Sequence, residues 1–411
     1  MNQSIWQKES TQKFPWLRGT YHTEVAVVGC GIVGILTAYL LSKAGKKVLL
    51  LDKGTPLCGE SIQTTAHLTE ILDRRASDLI EEYGFEKTRQ IFEANRLGLQ
   101  QIQTLVRELD MGCDLEQVSG YLYSESSSDR DFLKEESEAL DRLGIASRFQ
   151  PLAPLPYKTA GCIEIPFQFQ FNPHDFLVGI LEWLPQMGVE IVAESQVVQI
   201  VHGEPCEVFT RDGKVFAQEV VVATNDPISH PGFMHTKIAS YRSYAVALQV
   251  SEPHLPKGLF WDLDEPYHYL RRCHSADGNV LIVGGEDHKT GIEEKTSDRF
   301  ANLESYCISR LQVERVITRW SGQIIETVDG LPYIGSDRAH PHLYLATGFS
   351  GNGMTWGAFS ASLIADQILE KPTEWADLFS PNRLNPKASF EKYLLENKDF
   401  PLCYVGDRVK Q

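Results

Sequence analysis

Three glycines near the N-terminus have the spacing of a turn that binds a dinucleotide. The motif Gly29-x-Gly31-x-x-Gly34 follows the short strand predicted at 24–28 and opens the apolar-rich segment 32–44. The first glycine permits a tight turn, the second lets backbone approach a pyrophosphate, and the third lets a helix pack on a strand. Amide groups at the start of that helix would face the negative charge. The residues predicted to form this turn are Gly29, Gly31, Ile32, Val33 and Gly34.

A carboxylate stands where such a turn requires one. Asp52 ends the second predicted strand, 47–52, about twenty residues after the first glycine, where it can accept hydrogen bonds from a ribose diol. Asp52 and the adjacent Lys53 are therefore predicted to contact the cofactor. The glycines lie within a predicted strand, turn, helix and strand, and Asp52 has the expected spacing. This context favours dinucleotide binding over the alternative that the glycines only allow close packing. FAD and NAD present the same pyrophosphate and ribose, so this motif leaves both open.

Two later segments favour the longer of these cofactors, FAD. Residues 59–67 read GESIQTTAH, a loop of small and hydroxylic side chains that could run alongside a long dinucleotide, although a plain surface loop would read the same. Residues 347–355 read TGFSGNGMT and precede a second helix. The dipole of that helix would stabilise negative charge on a reduced flavin ring near N1 and O2. A glycine turn that only caps a helix is the alternative.

The surrounding elements indicate a fold of mixed α/β and α+β class. A β-branched run at 219–223 suits the inside of a parallel sheet, whereas 237–285 alternates as strands separated by proline and glycine turns. The pattern is helical over and around 86–109, and 151–166 is expected to be irregular. We predict a Rossmann-like FAD-binding domain interleaved with an antiparallel-sheet substrate domain. The predicted bounds are 20–85, 165–235 and 322–380 for the first, 86–164 and 236–321 for the second, and 1–19 and 381–411 for terminal extensions.

The composition argues against several classes of protein. A formal net charge of -16 opposes nucleic-acid binding, which draws its affinity from clustered lysine and arginine. The eight cysteines show no Cys-x-x-Cys and no paired histidine spacing, so we expect reduced thiols and no metal site. The polar and aromatic N-terminus does not read as a signal peptide, and no run approaches the ~18 apolar residues of a transmembrane segment. A cytoplasmic protein is expected.

Over nearly its full length the chain resembles the FAD-dependent oxidoreductases of the D-amino-acid oxidase type, with glycine and sarcosine oxidases as relatives. The segments that carry the resemblance are TEVAVVGCGIVGILTAYLLSKAGKKVLLLDKG, GESIQTTAHLTE, EVVVATNDP, LIVGGEDHKTG, RWSGQIIETVDGLPYIG and LYLATGFSGNGMTWG. More narrowly, TTAHLTE, GGEDHKTG and ATGF with GMT look like the subgroup that often appends a C-terminal Rieske iron–sulfur domain. The 411 residues contain no Cys-x-His with a later Cys-x-x-His, so no cluster is expected, whether that domain is naturally lacking or truncated.

The resemblance implies a set of cofactor contacts. The glycine motif would hold the pyrophosphate, Asp52 the adenosine ribose, and Val197 the adenine through its backbone. The isoalloxazine would lie on residues 351–355. The residues implied along the cofactor, beyond the first turn, are Thr64, Thr65, Ala66, Val197, Ala223, Thr224, Gly348, Gly351, Asn352, Gly353, Met354 and Thr355.

The resemblance also bears on how the flavin is held. Sarcosine oxidases attach it to a cysteine just before the segment that matches 326–329, but here the preceding residues, 322–325, read GQII. Because this stretch has no cysteine, non-covalent FAD is expected. His67 is the histidine nearest to the other attachment region known among relatives, and it is interpreted as a polar loop residue.

Catalytic candidates come from the presumed substrate domain. The relatives move a hydride from a carbon that bears an amine to flavin N5, which requires substrate alignment more than a strong protein base. An arginine can clamp a substrate carboxylate with two parallel hydrogen bonds, and a tyrosine can donate one more. Trp320 could form a wall beside the flavin or belong to the core, and His288 is equally undecided. The candidates for alignment are Arg242, Tyr267, His268, Tyr269 and Arg271.

Three functions fit these observations. The preferred one is oxidation of the C–N bond of a small amine or amino acid, with oxygen or a protein as electron acceptor. The second is an electron-transfer flavoprotein that exchanges electrons with a ferredoxin or Rieske-type protein. The third is an NAD-dependent dehydrogenase with the same glycine motif.

Overall fold

Two β-sheets and a group of packed helices form the part of the chain that the computed structural model describes, residues 3–8, 12–228, 234–251, 256–275, 278–291 and 296–383. The strands are β1 (Gly19–Val28), β2 (Val48–Leu51), β3 (His67–Leu68), β4 (Glu116–Ser124), β5 (Arg148–Gln150), β6 (Gly161–Gln170), β7 (Glu190–Val192), β8 (Val197–Val201), β9 (Cys206–Thr210), β10 (Gly213–Val222), β11 (Ile238–Val250), β12 (Leu259–Trp261), β13 (His268–Ser275), β14 (Gly278–Lys289), β15 (Val313–Thr327), β16 (Tyr333–Asp337) and β17 (His340–Thr347). The helices are α1 (Ile32–Lys43), α2 (Ala76–Tyr83), α3 (Phe85–Glu108), α4 (Arg130–Arg142), α5 (Pro173–Trp183), α6 (Met234–Lys237), α7 (Ser297–Ile308), α8 (Gly353–Ile368) and α9 (Ala376–Phe379).

The first sheet has the parallel core that the sequence predicts. Its order is β16-β17-β10-β1-β2-β7, and the strands from β17 to β7 run parallel. In β1, Val25 and Val27 pack against the helices while Ala26 and Val28 pack on the opposite face. A strand buried on both faces needs such a continuous apolar run. The hairpin β8-β9 adds to the edge of β10, and the turn between β9 and β10 contains Asp212.

Small residues let three helices approach one another on one face of this sheet. A Cβ atom on Gly98 of α3 would lie 2.0 Å from the carbonyl oxygen of Thr355 in α8. A Cβ atom on Gly357 of α8 would lie 2.6 Å from the side chain of Ile32 at the start of α1. The close packing therefore fixes the N-terminal ends of α1 and α8 relative to each other. Both ends belong to the predicted cofactor-binding segments.

The second sheet is antiparallel apart from one strand pair. Its order is β15-β11-β14-β13-β12-β4-β6-β3, with β5 on β6, and β12 runs parallel to β4. The core on one of its faces includes side chains of α7. This sheet confirms the predicted antiparallel domain.

Two sequence interpretations are wrong in this region. The stretch expected to be irregular up to residue 166 contains the first half of β6, and β4 follows the long helix where a helical pattern was expected. Proline cannot donate a ladder hydrogen bond, which argued against a strand. Pro166 is accommodated because the register with β4 shifts at this point and Phe167 takes a φ of 63°.

Candidate cofactor and substrate site

A cavity of about 1230 Å³ lies between the two sheets. One wall is formed by residues at and after the carboxyl ends of β1, β2, β10 and β17, and the opposite wall by side chains of β11, β13, β14 and β15. Ligands of open α/β sheets bind in the crevice outside the carboxyl ends of the strands. The volume exceeds the 300–1,000 Å³ typical of small-ligand pockets, so an extended dinucleotide fits it better than a small molecule alone.

The glycine turn after β1 has no room for side chains. Gly29 has a φ of +113°, and a Cβ atom there would lie 2.5 Å from the carbonyl oxygen of Ala223. A Cβ atom on Gly34 would lie 1.8 Å from the carbonyl oxygen of Gly29. The third glycine therefore lets α1 pack on the turn, as the motif requires. The turn fits a cofactor pyrophosphate.

Ser61 completes this turn from the loop that follows β2. Its Oγ atom accepts a hydrogen bond of 2.9 Å from the amide of Ile32 at the start of α1. A Cβ atom on Gly31 would lie 2.9 Å from the same Oγ atom. The Ser61 hydroxyl can still donate its proton to a phosphate oxygen. Ser61 lies in the hydroxylic loop 59–67 but was not predicted to contact the cofactor, although its hydroxyl was the signal.

Asp52 is held at the end of β2 by backbone donors. The amide of Cys30 donates to Oδ2 at 2.7 Å, and the amide of Gly54 donates to Oδ1 at 2.9 Å. Burial raises the pKa of the Asp52 carboxyl above its ordinary value. Each oxygen keeps acceptor capacity, so the carboxylate can also receive the two hydroxyls of a ribose.

Most of the residues predicted to contact the cofactor surround this cavity. Four others are buried but do not line it: Gly34, Ala66, Gly348 and Thr355. Those that line it are Gly29, Gly31, Ile32, Val33, Asp52, Lys53, Thr64, Thr65, Val197, Ala223, Thr224, Gly351, Asn352, Gly353 and Met354.

The start of α8 offers unpaired helix amides to the cavity. Its N-cap residue, Asn352, makes no capping hydrogen bond and instead donates from Nδ2 to the carbonyl of Ile71 at 2.9 Å. The first amides of a helix have no partner within the helix and carry the positive end of its dipole. They suit the electron-rich edge of a flavin. The preceding amide, that of Gly351, donates to Asp73 Oδ2 at 2.6 Å.

Two tryptophans fix the loop 59–67 along the cavity. The indole of Trp6 donates to the carbonyl of Thr64 at 2.7 Å, and the indole of Trp320 donates to the carbonyl of Gln63 at 2.9 Å. Trp320 is buried and does not line the cavity, so it positions the loop rather than forming a wall beside the flavin. Trp6 lies in the segment predicted to be a terminal extension and is also buried.

His67 is part of the cavity wall rather than of a solvated loop. It lies in β3, and its ring centroid is 5.6 Å from the rings of both Trp261 and Tyr269. Burial lowers the pKa of His67 to about 3. The imidazole is therefore neutral at physiological pH.

The two arginines predicted to clamp a carboxylate do not line the cavity. Arg242 donates from Nη1 to Ser321 Oγ at 3.0 Å. Arg271 donates to the carbonyl of Phe171 at 3.1 Å, and its guanidinium lies 5.0 Å from the ring of Trp6. Burial lowers the pKa of Arg271 to about 10, so the side chain remains charged.

The remaining candidates divide between support and lining. His268 hydrogen-bonds through Nδ1 to Asp262 at 2.9 Å and stacks on Tyr306 at 3.8 Å, away from the cavity. His288 stacks on Tyr244 at 5.6 Å and does not line the cavity either. Of the aligning candidates, Tyr267 and Tyr269 line it.

Sequence reasoning missed a carboxylate beside these tyrosines. Asp287, in the GGED segment of β14, accepts a hydrogen bond of 3.0 Å from the Tyr267 hydroxyl. Burial raises the pKa of Asp287 to about 6, and the charge of Asp73 adds to the effect. The sequence feature that could have identified Asp287 is an acidic residue close to two glycines in a predicted strand. It lies in the segment GGEDHKTG, which carries part of the family resemblance.

Comparison with known proteins finds a matching family and several similar proteins. The family described as "DAO: FAD dependent oxidoreductase" matches residues 24–367. The Bacillus subtilis protein YhfW, named as a Rieske 2Fe-2S iron-sulfur protein, is 28% identical over 97% of this chain and 79% of its own. Glycine oxidase of Bacillus subtilis is 26% identical over 88% of this chain and 98% of its own.

A solved structure shows the same fold. The crystal structure of glycine oxidase from Geobacillus kaustophilus superimposes with a TM-score of 0.75 at 19% identity, over 89% of this chain and 99% of that one. In the described part of the chain, no helix combines the length and apolar character needed to cross a membrane. The match over residues 24–367 shows that this chain belongs to the DAO family of FAD-dependent oxidoreductases.

Proposed function

We propose that this enzyme oxidises the C–N bond of a small amine or amino acid. The observation that carries the proposal is a single cavity with cofactor-binding turns on one wall and the hydroxyls of Tyr267 and Tyr269 on the other. Relatives named glycine oxidase and gamma-glutamylputrescine oxidoreductase support this class of substrate. When bound, FAD supplies the acceptor for the hydride that leaves the carbon next to the nitrogen.

The residues of the chain hold and align the reactants. The glycine turn and Ser61 hold the pyrophosphate, Asp52 holds the adenosine ribose, and the first amides of α8 face the flavin. The tyrosines orient the substrate over the cofactor, since alignment supplies much of the rate in such reactions. The FAD is held without a covalent bond.

Anaerobic reduction of the flavin tests this proposal. The FAD-loaded protein is mixed with amino acids, N-methyl amino acids and aliphatic amines, and the flavin absorbance near 450 nm is followed. We expect at least one class to bleach the flavin and to yield the corresponding imine hydrolysis product. If dithionite bleaches the flavin but no member of the panel does, the proposal is rejected.

One comparison favours a second candidate, exchange of electrons with an iron–sulfur protein. The similarity to YhfW, named as a Rieske 2Fe-2S iron-sulfur protein, spans 97% of this chain. We infer that a Rieske-type protein or ferredoxin is the electron acceptor or donor. Stopped-flow mixing of the reduced flavoprotein with an oxidised ferredoxin or Rieske protein tests this. Reoxidation by air alone would argue against it.

A further inference from the structure

The charged side chains at the substrate end of the cavity are predominantly acidic. Among the described residues, two strong bases line the cavity. Lys53 is adjacent to Asp52 at the adenosine end, and Arg75 precedes α2. His67 is uncharged because burial lowers its pKa to about 3. The acidic residues that line the cavity away from the adenosine end are Asp73, Asp262, Asp264, Glu265, Asp287 and Glu326.

The strand beside the flavin-binding turn supplies no cation either. Residues 322–325 of β15 line the cavity and read GQII. The arginines of the second sheet, Arg242 and Arg271, are engaged with Ser321 and with Phe171 and Trp6 outside the lining. A substrate carboxylate would therefore meet like charge on the wall formed by the second sheet.

The GGED segment of β14 builds a defined polar site on that wall. A Cβ atom on Gly284 would lie 2.5 Å from the hydroxyl oxygen of Tyr269. Gly285 has a φ of +140°, and a Cβ atom there would lie 2.3 Å from the carbonyl oxygen of Tyr267. Both glycines are thus needed for the tyrosines to lie across the strand next to Asp287.

The Asp287 carboxylate belongs to the cavity lining. Its Oδ2 atom accepts a hydrogen bond from the Tyr267 hydroxyl at 3.0 Å, while its Oδ1 atom is buried. The neighbouring hydroxyls of Ser243 and Tyr269 hydrogen-bond to each other at 2.9 Å. The carboxylate keeps acceptor capacity beyond the hydrogen bond from Tyr267, and a cationic donor would make the strongest use of it.

We propose that Asp287 binds the ammonium group of the substrate, and that the substrate is an aliphatic amine without a carboxylate on the reacting carbon. This rests on the proposed function and narrows its substrate class. The ammonium donates a hydrogen bond to the Asp287 carboxylate, which then takes one proton from it. The products of this step are the neutral amine, with its lone pair freed, and the protonated Asp287. Asp73 adds a second negative charge nearby.

The environment of Asp287 suits both binding of the ammonium group and acceptance of its proton. Burial, with Asp73 and Glu286 adding to it, raises the pKa of Asp287 to about 6. The group is therefore mostly ionised at neutral pH and yet is basic enough to accept a proton.

Pairs of compounds that differ only in a carboxylate provide the test. The oxidised, FAD-loaded protein is titrated without oxygen with 1,4-diaminobutane against ornithine, and with dimethylamine against sarcosine. Calorimetry and the flavin difference spectrum report binding, and loss of absorbance near 450 nm reports reduction. We expect the amine of at least one pair to bind at least tenfold more tightly than its amino acid. Tighter binding of both amino acids would overturn the inference, as would the absence of binding by all four compounds.

Variants separate this inference from the proposed function. Asp287→Asn should weaken amine binding at least tenfold, whereas Asp141→Asn, an exposed change at the end of α4, should not alter it. An unchanged affinity in Asp287→Asn contradicts the inference. Amino-acid binding that disappears in Arg75→Gln would also contradict it, because it would assign a carboxylate site to Arg75. If amines bind through Asp287 but nothing reduces the flavin, the proposed function fails, while the role of Asp287 in binding amines stands.

Discussion

Ser61 is the residue whose single hydroxyl links the cofactor loop to the start of α1. Its Oγ atom accepts from the amide of Ile32 at 2.9 Å, and the same hydroxyl would donate to the pyrophosphate. In Ser61→Ala both hydrogen bonds are lost, so we expect FAD to bind roughly fivefold more weakly, about 1 kcal/mol. Quenching of FAD fluorescence on titration of the apoprotein measures this. Ser42→Ala, at the far end of α1, is the control, and equal affinities in the two variants would contradict the assignment.

Asp287 gives amine binding a defined pH dependence. Its pKa is raised to about 6 by burial, with Asp73 and Glu286 adding repulsion, while the hydroxyls of Ser243 and Tyr267 oppose the shift. The carboxylate binds a cation only when ionised, so affinity for 1,4-diaminobutane should fall as the pH drops below about 6. His67 stays neutral across this range. Dissociation constants measured from pH 5 to 8 in the unmodified protein and in Asp287→Asn test this. The same loss of affinity at low pH in the variant would contradict it.

At the residue scale, the sequence predicted the residues whose role depends on others close to them along the chain. Gly29, Gly31 and Asp52 act through local spacing, and they lie at the cavity as the motif predicts. Arg271 projects from the same strand as Tyr269, but Trp6 from a distant segment covers it. Such a contact between remote segments leaves no local pattern. The role of Asp287 likewise depends on tyrosines from the adjacent strand.

Strand β14 shows how an element can be shaped for its neighbour. Gly284 leaves room for the ring of Tyr269, and a methyl group there would approach the ring carbon atoms as closely as 2.3 Å. Gly284→Ala should therefore displace Tyr269 and weaken amine binding at least fivefold, while the flavin spectrum and FAD affinity stay unchanged. Calorimetric titration with 1,4-diaminobutane measures the effect. Gly112→Ala, where a Cβ atom meets nothing within 4 Å, is the matched control. Wild-type amine affinity in Gly284→Ala would refute this role for the glycine.

At the element scale, long periodic segments were the most predictable. The helix expected at 86–109 is α3, and the parallel run at 219–223 is the end of β10. Strand β6 was missed because its bulge at Pro166 breaks the two-residue alternation by which a strand is identified. The pairing of β11 with β14 is also irregular between Arg242 and Tyr244, where β14 has one extra residue next to Asp287. Bulges depend on pairing with a partner strand, so a single segment does not reveal them.

For the whole molecule, the way the cavity is lined predicts how FAD is retained. Among the described residues, Cys30 and Cys58 are the cysteines that line it, and both lie close to Asp52 at the adenosine end. We expect acid precipitation to leave all yellow colour in the supernatant, because no thiol of the described residues lines the flavin end. Absorbance of the supernatant and of the dissolved pellet measures this. Colour that stays with the pellet would show a covalent bond, and its loss in His67→Ala would locate it.

The two sheets enclose one cavity, and the central claim concerns its two walls. FAD bound on the wall formed by the first sheet accepts a hydride from an amine held by the second sheet. The most direct test is the anaerobic rate of flavin bleaching by 1,4-diaminobutane and by the same compound deuterated on both carbons next to nitrogen. Cleavage of the C–H bond during reduction predicts bleaching that is several-fold slower for the deuterated compound. Bleaching by dithionite alone, with neither diamine nor any amino acid reducing the flavin, would contradict the claim.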